Sequence, residues 1–271
     1  MNLTISPCPN DTFVFHALVH GLVPGAPPIE VRYADVDVTN TLALSSDLDL
    51  VKVSYAALPW LLDRYVLLPC GGALGRGCGP LLLSSGPRDS VDGLRVAVPG
   101  DRTTAYLLMR LWMGPAAPAV IDVVPFAEIM PAVAEGRYDA GLVIHEARFV
   151  YPRYGLTAVV DLGEWWESTT GLPIPLGAIL ARRGAVPFAD ATSWIRESVS
   201  AAWAAPEASR DYVLSLAQEM EPAVVEQHIK LYVNEFTHSL GQEGYAAVRE
   251  LLGRAEAAGL VPAVNPAIVE I

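Results

Sequence analysis

Basic residues are scarce in this chain and unevenly placed. Its 271 residues carry 18 Lys plus Arg against 30 Asp plus Glu, a formal net charge of −12. Lys52 and Lys230 are the two lysines, and no Lys or Arg precedes Arg32. Lacking a basic cluster, the chain is a poor match for nucleic acid or an anionic membrane surface. Lacking a basic n-region, and with Asp11 in the first helical pattern, its start does not read as a secretory signal. Cysteine is rare as well. Cys8, Cys70 and Cys78 are too few and odd in number for a disulfide framework, and their spacing fits no zinc pattern. A reducing cytoplasm is therefore the expected location. Long apolar runs are also missing. The longest uncharged stretch, Thr12 to Ile29, is broken by Pro24, Pro27 and Pro28 and by two glycines, so it is no membrane span. With 52% hydrophobic and 18% charged residues, disorder is excluded and a large core is implied.

What is present is an alternation of short β-rich runs and helical patterns, the signature of a parallel α/β architecture. Strands are predicted at Leu3–Ile5, Ile29–Tyr33, Leu50–Val53 and Leu81–Ser84, with helices over Asp11–Val19, near Asn40–Leu44 and from Tyr55. The pattern then restarts. Strands Leu94–Val98, Ile121–Val124 and Ala140–Ile144 enclose helices Thr103–Met113 and Ala127–Glu135. Ser46–Val51 and Gly136–Gly141 precede matching strands, so Ser54 and Tyr55 correspond to Ile144 and His145. After a strand at Leu176–Leu180 the chain reads as helical near Ser193–Ala204, Asp211–Met220, Val224–Tyr232 and Tyr245–Ala257. A tail without enough strands for a third lobe is expected to pack on the first. The expected layout is therefore two α/β lobes around a central cleft. Residues 1–85 and 175–271 form the larger lobe and 86–174 the smaller, with two crossings between them.

Ligands in open α/β sheets bind beyond the carboxyl ends of the strands, which directs attention to Ser6–Thr12, Lys52–Tyr55, Pro99–Thr104 and His145–Glu146. Lys52 sits between valines; it is either a sheet-edge charge or a ligand cation. Ser54 and Thr104 open predicted helices, where a hydroxyl serves as a cap or adds to an anion site. His145 follows an apolar strand directly and is either structural or a proton-transfer group matched to neutral pH. Cys8 precedes a helix, which would stabilise a thiolate unless the thiol is buried and inert. His16 and His20 share a helix face with no third ligand in view. The glycine-rich Gly75–Pro80 precedes a strand, so it is neither a dinucleotide fingerprint nor a P-loop, and close backbone approach explains it better. Trp165 and Trp166 read as packing residues with the option of flooring a cleft.

Several strings carry a resemblance. Ser6-Pro7-Cys8-Pro9-Asn10-Asp11-Thr12-Phe13, Gly71 to Pro80, Thr103-Thr104-Ala105-Tyr106, Gly141 to Glu146, Tyr151 to Gly155 and Gly171-Leu172-Pro173 together resemble the 1,4-dihydroxy-6-naphthoate synthases of the futalosine route to menaquinone, in order over essentially the whole chain. The resemblance implies a fold like type II periplasmic binding proteins. It implies a lyase that converts cyclic dehypoxanthine futalosine into 1,4-dihydroxy-6-naphthoate with loss of a ribose-derived fragment. It further implies that His145 is the catalytic base, that Asn40, Lys52, Val53, Ser54, Thr104 and Ala105 contact the small-molecule substrate, and that neither cofactor nor metal takes part. Two other readings stand beside it: a non-catalytic cytoplasmic protein that captures a small anion, and the sister chorismate-derived dehydratase of the same pathway.

Overall fold

A computed structural model describes residues 1–114, 118–217 and 221–264. The chain opens with β1 (Asn2–Ile5), α1 (Pro9–Val19), β2 (Glu30–Tyr33), α2 (Val36–Ser45) and β3 (Leu50–Ser54). A 3-10 turn at Tyr55–Trp60, holding Pro59, takes the place of the helix expected from Tyr55. β4 (Tyr65–Leu67), β5 (Ala73–Gly75) and β6 (Leu81–Ser84) follow. The second β-α-β-α-β unit is β7 (Arg95–Val98), α3 (Thr104–Met113), β8 (Val120–Val123), α4 (Phe126–Ala134) and β9 (Ala140–Val143). After α5 (Ala147–Val150) come β10 (Thr157–Asp161), α6 (Leu162–Thr170) and β11 (Ile174–Arg182). The remainder is α7 (Phe188–Ala204), α8 (Arg210–Leu216), α9 (Pro222–Tyr232), α10 (Glu235–His238) and α11 (Gly241–Ala257). The helix expected over Asp211–Met220 thus ends at Leu216, and residues 218–220 lie outside the described ones.

Two sheets result. The first runs β2-β1-β3-β11-β4, with β5 also on β11; the second runs β10-β6-β9-β7-β8. Each has the same parallel trio at its heart. Leu3 faces Leu50 and Thr4 faces Val51 in one; Val96 faces Ala140 and Ala97 faces Gly141 in the other. These registers align Leu50 with Ala140 and Ser54 with Ile144, as the repeat expects. Both sheets are mixed rather than purely parallel. β11 runs antiparallel to β3, and β6 antiparallel to β9, because each arrives from the opposite lobe without a crossover helix. Leu81–Ser84, expected in the larger lobe, pairs in the second sheet, so the chain has already crossed before residue 85.

Burial explains the pattern. All five residues of β3 are buried, as suits a strand covered on both faces. The tail helices α7, α8 and α9 pack on α1, and α11 on β11. One apolar cluster runs through both sheets, linking Val51 and Leu180 to Val96, Leu142 and Trp166. The glycines at the junction allow contact between backbones: a Cβ on Gly79 would lie 2.1 Å from the amide nitrogen of Gly163. No helix among the described residues is long and apolar enough to cross a membrane.

Candidate active site

The carboxyl ends of β1, β3 and β9, the start of α3 and one face of α9 enclose a cavity between the lobes. Its first-lobe wall is organised by Asp11 in the first turn of α1. Pro9 at the first helical position starts that helix two residues earlier than the sequence pattern suggests, with Cys8 at the cap. Asp11 is thereby free to accept hydrogen bonds from the Ser6 hydroxyl at 2.7 Å and the Asn10 amide at 2.9 Å. It also takes the Lys52 ammonium, and both partners of that ion pair are buried. Lys52 is therefore no edge charge: its cation is matched inside the protein, in line with the rule that buried charges are paired. Its stem lies so close to β11 that a Cβ on Gly177 would meet Lys52 Cε at 2.6 Å.

Ser54 and Asn40 form a second unit. Asn40 Oδ1 accepts from the Ser54 amide at 2.8 Å, and Asn40 Nδ2 donates to Ser54 Oγ at 3.1 Å. The Ser54 side chain caps nothing, and with Oγ already accepting, its own proton can be given to a ligand. Asn40 stands behind the wall and also donates to the Arg102 carbonyl of the other lobe at 3.3 Å. Val53 is fully buried in the shared core and does not line the cavity.

The second lobe supplies the start of α3. Thr103, one residue before the position expected, is the cap, accepting from the Tyr106 amide at 3.1 Å. Thr104 instead bridges the lobes, donating to the Leu176 carbonyl at 2.8 Å and accepting from the Ala56 amide at 3.3 Å. Amides in the first turn have no intrahelical acceptor, so those of Thr104 and Ala105 offer donors and a positive dipole end to an anion. In a protein of charge −12, such donors act at short range against the overall field.

His145 stands opposite. It is the single non-glycine residue at positive φ (54°) among the described residues, a conformation that costs on the order of 1–3 kcal/mol and persists only where surroundings enforce it. Three contacts do so. Nδ1 lies 3.3 Å from Cys8 Sγ, the ring meets Phe126 edge-on at 5.3 Å, and Arg148 pins the following turn to the Gly79 carbonyl at 2.8 Å. Burial pushes the imidazole pKa down to about 4; Asp11 opposes this and Lys52 adds to it. The ring is therefore neutral at pH 7 and able to accept a proton. Cys8 is buried, and its thiol is raised well above the ordinary range, chiefly by desolvation and then by Glu146. Of the two readings open for it, Cys8 is the buried, inert thiol. Cys8 Sγ, a ring nitrogen of His145 and a Glu146 carboxylate oxygen lie within 4.8 Å of one another, the one group among the described residues close enough together to hold a metal ion.

His228 went unpredicted. It reaches the cavity from α9, with Tyr232 one turn on. A periodic helix with a single histidine on its buried face gives no sign in the sequence of which cavity it meets. Trp166 is core, its indole donating to the Pro173 carbonyl at 3.0 Å, and Trp165 lines an outer groove beside α6. Neither floors the cleft. His16 and His20 pair with each other and with Tyr212, away from the cavity.

Known proteins place this arrangement. The chain is 59% identical to a 1,4-dihydroxy-6-naphthoate synthase of Streptomyces coelicolor, over 98% of its own length and 96% of that protein's. It is 50% identical to a synthase of the same name from Thermus thermophilus, over 99% of both chains. Among solved structures, a protein from Archaeoglobus fulgidus superposes with a TM-score of 0.90 at 32% identity, covering 96% of this chain and 98% of that one. The alkanesulfonate-binding protein SsuA of Xanthomonas axonopodis superposes at 0.71 with 14% identity, covering 97% and 94%, which speaks to the fold alone and makes it that of periplasmic binding proteins. The sequence profile described as menaquinone biosynthesis matches residues 1–257, and the chain belongs to that family.

Proposed function

We propose that this chain is a carbon–carbon lyase that forms 1,4-dihydroxy-6-naphthoate from cyclic dehypoxanthine futalosine, with His145 as the base. One observation carries the reading: in a chain 59% identical to such a synthase, a neutral imidazole is held in a strained backbone position on the wall of the interlobe cavity. The substrate joins a sugar-derived ring to a carbocycle that becomes aromatic when the fragment leaves, so the product side is favoured. The protein has to supply orientation, a base and donors for developing negative charge.

The residues divide that work. With Nδ1–H donating to the Cys8 sulfur, the Nε2 lone pair of His145 takes the proton that starts the cleavage. The electron pair released is accommodated in the ring system as the carbon–carbon bond breaks and the fragment departs. The substrate carboxylate sits at the first-turn amides of Thr104 and Ala105, and the Ser54 hydroxyl donates to an oxygen on the facing wall. Asn40 orients Ser54. Lys52 acts through Asp11, keeping the first-lobe wall charge-balanced. An anionic substrate beside His145 raises the imidazole pKa from its unliganded value, making it a stronger base once the cleft is filled.

Capture of an anion without chemistry would use the amides equally well, but it leaves the backbone strain at His145 without a purpose. Three free, buried thiols suit a reducing cytoplasm. The test is incubation of the purified protein with cyclic dehypoxanthine futalosine while following the naphthoate chromophore. Conversion is expected; tight binding with no chromophore would leave a binding protein.

A further inference from the structure

Two imidazoles line the cavity, and the mechanism uses one. The other, His228, is 1% exposed. Its Nε2 lies 2.9 Å from Asn10 Oδ1, and its ring rests against Tyr232 with centroids 4.5 Å apart. Its Nδ1 is buried without a hydrogen-bond partner among the described residues. Buried polar atoms in that state are uncommon and costly.

The tautomer follows from a chain of contacts. Asp11 Oδ1 receives both the Lys52 ammonium and the Asn10 side-chain amide. A carboxylate so engaged accepts only, which turns the Asn10 NH2 toward Asp11 and its carbonyl oxygen toward His228. Nε2 must then carry the hydrogen, and Nδ1 is a bare lone pair. Burial, with His145 and Lys52 nearby, holds the ring neutral by lowering its pKa far below the usual value. A lone pair takes a hydroxyl and repels a carboxylate.

We infer that His228 is a substrate-positioning residue whose Nδ1 accepts a hydrogen bond from a hydroxyl of the substrate when the lobes close. The inference rests on the functional reading above and deepens it. First-lobe His228 fixes the hydroxyl-bearing part of the ligand while second-lobe His145 takes the proton.

Two variants separate this role from a scaffolding one. His228→Gln puts a donor where Nε2–H stood and keeps the Asn10 contact, but it removes the Nδ1 acceptor. His228→Asn places its carbonyl oxygen near the Nδ1 position and gives up Asn10. Steady-state naphthoate formation by the full chain should fall about 10- to 100-fold in kcat/KM for His228→Gln, mainly through KM, with an unchanged melting temperature. His228→Asn should retain the larger share of activity despite a lower melting temperature. The reverse order, or His228→Gln equal to the unsubstituted protein, overturns the inference while the functional reading stands. If the unsubstituted protein forms no naphthoate, the functional reading fails and this inference fails with it.

Discussion

The two lobes are built on one plan and put to different uses at the same place. In both, an aspartate just before the third parallel strand accepts from the first residue of the opening strand: Asp49 from the Asn2 amide at 3.0 Å, Asp139 from the Arg95 amide at 2.9 Å. Beyond that shared lock the strands diverge. Where the first lobe has Lys52, the register gives the second Leu142; where it has Ser54 and a regular turn, the second has Ile144 and then the strained His145. The first lobe spends its polarity on a matched, buried network that holds fixed donors and acceptors. The second spends it on one imidazole and one helix start. A duplicated scaffold thus puts the Ser54–Asn40 and Lys52–Asp11 units on one wall of the cavity and His145 with the start of α3 on the other.

The largest expected effect comes from removing the second lobe's contribution. His145→Ala should lower kcat at least about 1,000-fold, the upper part of the range for general-base loss, with KM within a few-fold. Near-normal kcat in a steady-state assay would give the chemistry to another residue. Next is the first lobe's ion pair. Asp11→Asn leaves a buried ammonium unmatched and should cost about 3–5 kcal/mol, read as a drop in the urea midpoint. Adding Lys52→Met should recover most of that stability without restoring KM. Recovery of both would make the pair purely structural.

The pH profile sharpens the comparison further. With His145 at about 4 in the empty protein, the acid limb of kcat/KM should fall near pH 4, well below the 6.5 of an ordinary imidazole. The limb of kcat should lie higher, because bound anion raises the pKa. The sign for stability is the same. A histidine whose folded pKa is depressed favours the fold above pH 6.5 and loses that contribution as pH falls from 6.5 toward 4. Activity at low pH should therefore be read beside circular dichroism at the same pH. An acid limb of kcat/KM near 6.5 in folded protein would place His145 in water. The smallest effects should come from the shared lock. Asp139→Ala and Asp49→Ala should each cost about 1–2 kcal/mol and leave kcat unchanged, with Asp49 the more costly because, although each also receives an arginine, Asp49 is the more buried and takes the Asn2 side-chain amide as well. A kcat change in either would mean that the lock tunes the site as well as the fold.

Much of this was legible in the residues. The alternation of apolar runs and the Asp49–Asp139 correspondence carried the two lobes, and the place of His145 after a buried strand marked it as a residue at the cleft, while its role as base came only from the resemblance to the synthases. What escaped did so for physical reasons. Cys8 offered two readings, a thiolate stabilised by the helix start or a buried inert thiol, and only its burial decides for the second, because desolvation outweighs the dipole there. Thr103 and Thr104 are adjacent hydroxyls, and only the path of α3 decides which one caps and which one bridges. β10 has no buried residue and β5 is three residues ending in glycine, and each is held by an antiparallel partner from elsewhere in the chain. His228 depends on a relay through Asn10, Asp11 and Lys52, whose members lie up to 218 positions apart. No local pattern encodes such a relay.

The most direct test is a crystal structure of the His145→Ala protein with bound substrate. The account predicts the ligand between the lobes, its carboxylate at the amides of Thr104 and Ala105 and the proton to be abstracted facing the space left by the imidazole. A ligand seated in the outer groove beside Trp165, or in the cleft with its reacting carbon turned away from residue 145, would contradict it.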